Sequence, residues 1–158
     1  MKKKLFISLC WLFSFSPFAS ALQTDRFQLN IPTHFGSPKL EESDSKRTWS
    51  YFSDLGTLVI SELRCDKACP VVSQTDVNMY HVHKNAKDHG SMLIEKNGVV
   101  GWLLHSPTYG NRYASEVTFS HKDASITIDF MYKKSSSSLD VHRSLVEFIR
   151  LINEIEFL

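Results

Sequence analysis

The chain has 158 residues, 42% of them hydrophobic and 22% charged, with a formal net charge of +1. That length holds one domain of ordinary size, and a balance so close to neutral carries no signature of nucleic-acid or anionic-membrane binding.

The opening MKKKLFISLCWLFSFSPFASA has the order of a secretory signal peptide. Lys2, Lys3 and Lys4 precede an apolar run from Leu5 to Phe15, and Ala19-Ser20-Ala21 supplies small residues for a cut after Ala21. A membrane span needs about 20 apolar residues, and Ser14, Ser16 and Pro17 interrupt this run first. Cys10 lies inside the run and follows Leu9, whereas a lipobox places a small residue there, so no lipid anchor is expected. Residues 1–21 are thus read as the leader and 22–158 as a single domain. Without the leader lysines, 15 basic residues stand against 17 acidic ones, a net charge of −2.

Arg26 to Ile31 alternates apolar and polar residues until Pro32 and predicts a half-buried strand. Residues 36–46, rich in Gly, Pro, Ser and acids, predict a solvated loop. Thr48 to Ser53 and Thr57 to Arg64 are extended runs around Asp54-Leu55-Gly56, the pattern of a hairpin.

Cys65 and Cys69, in CDKACP, are the only cysteines left after the leader. On a strand they would stand about 13 Å apart, but a disulfide tolerates only about 4.4 to 6.8 Å between Cα atoms. Pairing in an oxidising compartment therefore requires a turn, and Asp66, Lys67 and Pro70 are turn residues. A redox pair needs two intervening residues and a helix start, and zinc needs further ligands at matching spacing. The spacing favours a disulfide clip over both.

Ser73 and Asp76 stand in capping-box register, and Gly90 offers a stop, so a helix is expected from Gln74 to Asp88. It falls in a cluster of Met79, His81, His83, His89 and Met92, and imidazole with thioether suits copper. On a helix, however, His81 and His83 diverge by about 200°. They would each need a ligand from elsewhere, such as His34, His105 or His121. The capped helix favours surface or interface histidines, and a copper or other metal centre at this cluster stands as the alternative function.

Met92 to Lys96 and Val99 to Ser106 flank Asn97-Gly98, which accepts the positive φ angles of a two-residue hairpin turn. Pro107 to Asn111 reads as a loop. Tyr113 to Ser120 and Ser125 to Tyr132 form a further hairpin, with Val117, Phe119, Ile126, Ile128 and Phe130 directed to the core. Trp102 alternates with Val100 and Leu104 and is expected in the core. Tyr109 and Arg112, on the neighbouring loop, are the candidates for exposed partner contact. Ser137 and Asp140 then start a second helix whose stripe is Leu145, Phe148, Ile149, Ile152 and Ile155.

Hairpins followed by helices in this order predict an α+β fold, an antiparallel sheet covered by two helices. The opening strand ending in Ile31-Pro32, the helix after the third strand, the two hairpins and the closing helix resemble the Mog1/PsbP-like fold group over most of residues 26–158. The resemblance implies a non-enzymatic role in binding other proteins or assisting assemblies. It identifies no site residue.

Motifs for catalysis are absent from the chain: no GxSxG, no HExxH and no phosphate-cradling glycine loop. Ser43-Asp44-Ser45-Lys46 has a Ser-x-x-Lys spacing, but without the helix start and companion motifs which that chemistry needs. Acid pairs such as Glu41 with Glu42, or Glu154 with Glu156, belong to solvated faces. The sequence therefore reads as an exported protein, periplasmic rather than extracellular, without catalysis, cofactor or stable membrane anchor. Its expected partner is another protein, as an accessory or envelope-assembly factor or as an immunity-type inhibitor of a periplasmic toxin. Metal binding is the rival reading and a hydrolase the third.

Overall fold

The computed structural model describes residues 20–83, 90–109, 112–132 and 138–158; the side chains of 79–83, 106–109, 112–113 and 138–141 lie outside the description. The elements are β1 (Ser20–Gln23), β2 (Phe27–Ile31), β3 (Lys39–Glu42), β4 (Lys46–Phe52), β5 (Gly56–Arg64) and α1 (Gln74–His83), followed by β6 (Gly90–Lys96), β7 (Val99–Tyr109), β8 (Arg112–His121), β9 (Ala124–Tyr132), α2 (Ser138–Glu154) and β10 (Glu156–Phe157). A seven-stranded sheet runs β3-β4-β5-β9-β8-β7-β6, and a three-stranded sheet runs β1-β2-β10. Every pairing is antiparallel. The architecture is the α+β arrangement that the pattern of hairpins and helices implies.

Alternation decides which sheet face is covered. Leu58 and Ile60 on β5, Val117 and Phe119 on β8, and Ile126, Ile128 and Phe130 on β9 are all fully buried. Against them pack Phe148, Leu151 and Ile152 of α2, Ile155 just after it, and Leu22, Phe27, Leu29 and Ile31 of the small sheet. The opposite face carries the polar half of each repeat, including the cross-strand hydroxyl pairs Thr48 with Ser61 and Thr118 with Thr127. α1 packs beside the edge strand β6 and buries Val77. Among the described residues no helix is long and apolar enough to cross a membrane.

Local signals place the turns. Asn97 and Gly98 both have positive φ, as a two-residue hairpin turn of this type requires. Ser53 closes the β4–β5 turn by donating its amide to the Gly56 carbonyl at 2.9 Å. At the start of α1, Asp76 N–H donates to Ser73 Oγ at 3.3 Å while Asp76 Oδ2 accepts from Ser73 N–H at 2.8 Å, a reciprocal capping box. Cys65 and Cys69 are joined, with Cα atoms 5.5 Å apart, in the turn that their spacing demands. So short a closed loop contributes about 2 kcal/mol on the chain-entropy account.

Several expectations differ from the structure. Residues 36–46 are not loop throughout, because β3 occupies Lys39–Glu42 at the sheet edge. Its four side chains are all exposed, so no alternation announces it, and ladder bonds to β4 hold it instead. β7 and β8 run on through the expected loop to Tyr109 and Arg112, with a register shift between Ser106 and Tyr109. Pro107 has no N–H for the ladder, which accounts for an irregularity there. Trp102 lies half-buried on the face away from the core, because Gly101 and Leu103 take the inward positions of β7. Ile149 is 47% exposed, and the inward stripe of α2 uses Leu151 in its place. The small sheet was not foreseen beyond β2. Residues 84–88 of the expected first helix, and the Ser137 cap of the second, lie outside the described residues.

Candidate functional site

Tyr109 and Arg112 are register partners that close the β7–β8 hairpin. The antiparallel ladder thus brings the two partner-contact candidates together at one tip, although their side chains are outside the description. Met79, His81 and His83 lie on α1, in the helical backbone that makes His81 and His83 diverge. Met92 is 54% exposed on β6, and His89 lies outside the described residues. Among the described residues no group of three His, Cys, Asp or Glu side chains is arranged to hold a metal ion.

A charged hub gathers both ends of the described chain. The turn Thr24-Asp25-Arg26 is held by Thr24 N–H donating to the Phe27 carbonyl and by Arg26 N–H donating to Thr24 Oγ1. It presents the buried Arg26 guanidinium to three carboxylates. Nε and one terminal nitrogen donate to the two oxygens of Asp123 at 3.0 and 2.9 Å, a bidentate fork. The other terminal nitrogen reaches Asp25 at 2.9 Å and Glu62 Oε1 at 3.0 Å. The hydrogen bond to Asp123 raises the Arg26 pKa against the opposing cost of burial, and the same bond lowers that of Asp123.

The hub also anchors the disulfide turn, where Cys65 N–H donates to the Asp123 carbonyl, and the last residue, where Leu158 N–H donates to the Arg26 carbonyl. Glu62 is 1% exposed and its Oε2 has no hydrogen-bond partner. With Arg47 and Arg64 it lines a cavity of about 20 Å³, room for about one water and far below an organic substrate. These residues cross-link the fold.

A second chain, buried at Ser115 and Tyr132 and half-buried at His105, joins His105 Nδ1, Ser115 Oγ and Tyr132 OH at 2.8 and 2.6 Å. Burial pushes the Tyr132 phenol up to about 12, so it stays protonated at neutral pH, and in its bond with Ser115 either hydroxyl can donate. A serine beside a histidine is the contact a hydrolase uses. Here Ser115 is 1% exposed, so no substrate carbonyl reaches its oxygen in this conformation. On the opposite sheet face, Asp129 and Glu116 stand directly across from each other on β9 and β8. Burial, then the Glu116 charge, pushes the Asp129 carboxyl up to about 6, and Asp129 Oδ1 is buried with no hydrogen-bond partner.

Of these groups only His105 was named from sequence, as a possible remote metal ligand, and the structure gives its Nδ1 to Ser115 instead. Glu62 follows Leu58 and Ile60 in the inward register of β5, and Ser115 precedes Val117 and Phe119 in that of β8. A polar residue continuing an inward series was the available signal. Ser43 to Lys46, the Ser-x-x-Lys match, lies at the β3–β4 turn in solvent.

No family model matches the chain, and no curated protein matches it. Solved structures do. It is similar to the solution structure of cyanobacterial PsbP (CyanoP) from Synechocystis, with a TM-score of 0.55 and 12% identity over 92% of this chain and 96% of that one. A crystal structure from Bacteroides thetaiotaomicron aligns at 11% identity and a TM-score of 0.43 over 84% of this chain and 45% of that one. The match to the cyanobacterial structure spans nearly the whole of both chains, and this chain has a PsbP-like fold.

Proposed function

We propose that this chain is an exported, periplasmic, non-enzymatic protein that binds another protein as an accessory or envelope-assembly factor. The observation that carries the reading is the PsbP-like fold over 92% of the chain, a fold group whose members mostly serve as binding proteins. The Cys65–Cys69 bond supports an oxidising compartment, and the leader-like opening supports export. The closed-off Ser115 weighs against a hydrolase. An immunity-type inhibitor of a periplasmic toxin is the nearest variant, since it makes the same physical demands.

The contact surface assigned to this role is the β7–β8 tip, because Tyr and Arg are enriched at hot spots and the paired strands set their spacing. The test is affinity capture from a periplasmic extract with the parent and with a Tyr109→Ser/Arg112→Ser variant. The expected result is one stoichiometric partner, held at least about tenfold more weakly by the variant. Calorimetry that finds one tight copper equivalent, lost in a His81→Gln/His83→Gln/His89→Gln variant, overturns the binder in favour of the metal reading.

A further inference from the structure

We infer that cleavage of the leader and folding of the domain exclude each other, because the bond to be cut, Ala21–Leu22, lies inside β1. The inference rests on the export reading above. Ser20 pairs with Ile31, Ala21 with Asn30, Leu22 with Leu29 and Gln23 with Gln28. The residues on both sides of the bond are therefore engaged in the ladder with β2. Leu22 is 9% exposed and belongs to the hydrophobic core with Phe27, Leu29 and Ile31.

A peptidase takes its substrate as an extended segment whose side chains on both sides of the bond enter its own site. It then adds water across the Ala21–Leu22 amide, leaving a carboxylate on Ala21 and an ammonium on Leu22. In the folded chain the Leu22 side chain is already committed to the core. Cleavage requires β1 to detach from β2, so the cut belongs to the unfolded chain during export.

The position of the bond also decides what the domain keeps. The small-residue motif ends at Ala21, and the next residue is the one whose side chain the core holds. Cutting there retains the Leu22–Leu29 and Gln23–Gln28 pairs and removes the partners of Asn30 and Ile31. A chain that folds before the cut loses its leader only when β1 opens from β2.

The test uses the full chain, folded in detergent with its disulfide formed, and a Phe27→Asp/Leu29→Asp variant that lacks the two core side chains of β2. Each is incubated with a detergent-solubilised bacterial signal peptidase, and the new N-terminus is read by mass spectrometry. The variant is expected to yield Leu22 as its first residue, with the folded parent cut at least about tenfold more slowly, as local opening must precede access. Hydrogen exchange across residues 28–31 is a second reading, expected to be slower in the uncut chain than in residues 22–158. Equal cleavage rates, or equal exchange, overturn the inference while leaving the export reading intact. An exported protein whose N-terminus is not Leu22 overturns the cleavage site itself, and the inference with it.

Discussion

Glu62 occupies a position that strand alternation assigns to an aliphatic side chain, and its charge is tolerated because Arg26 comes to it from the turn before β2. Removing one member of a buried pair leaves the other uncompensated, which costs more than the pair contributes. Arg26→Met is therefore expected to lower stability by about 3 kcal/mol, and Arg26→Met/Glu62→Met to recover most of it, read as denaturation midpoints. Asp129 is the converse case, a carboxylate held near Glu116 with no ion-pair partner among the described residues. Its folded pKa of about 6 lies above the ordinary 3.8. The group thus favours folding fully below about pH 4, and this contribution is lost as pH rises through about 6. Asp129→Asn is expected to be more stable than the parent by about 2 kcal/mol near pH 8 and to lose that advantage near pH 4. Melting curves across the range check it; a constant offset between the two proteins would count against the assigned pKa.

At the scale of the elements, two glycines separate backbone constraint from side-chain packing. A Cβ on Gly56, at the start of β5, would stand 2.2 Å from the Met131 carbonyl oxygen of β9. That neighbour is backbone, so the β5–β9 ladder itself must shift. On Gly101 a Cβ would meet ring atoms of Phe119 at 2.5 and 2.6 Å, a buried side chain that repacking can move in part. Both alanine variants are expected to be destabilised, Gly101→Ala by about 1–3 kcal/mol and Gly56→Ala by more, with the order of their urea midpoints deciding. Gly101 also explains Trp102: the inward place beside Phe119 admits no side chain, and the indole next along the strand faces outward. There its Nε1 donates to Ser91 Oγ at 2.7 Å.

For the whole molecule, the small sheet is what joins the two ends of the described chain. β10 pairs with β2, Phe157 stacks edge-on against Phe119 with centroids 5.1 Å apart, and Lys122 Nζ donates to the Leu158 carbonyl. Deleting residues 156–158 is expected to cost about 2 kcal/mol, mainly through the apolar area of Phe157, and to raise hydrogen exchange in β2. A truncated chain with unchanged melting temperature and exchange would mean that α2 alone covers that side of the sheet.

Local chemistry made much of this legible in the sequence. Asn97-Gly98, the Ser73–Asp76 cap, the inward rows of β8 and β9 and the cysteine turn each depend on residues near one another in the chain, so spacing reveals them. The order of hairpins and helices likewise sufficed for the fold class. Three strands, the outward turn of Trp102 and the meeting of Arg26 with Glu62 and Asp123 were decided by tertiary structure. An edge strand exposed on every side chain has no periodicity to read, and β10 is only two residues long. Asp123 lies 97 residues from Arg26. Nothing within either local segment specifies that separation, because the pairing exists only once β2 and the β8–β9 turn have been carried to the same end of the core.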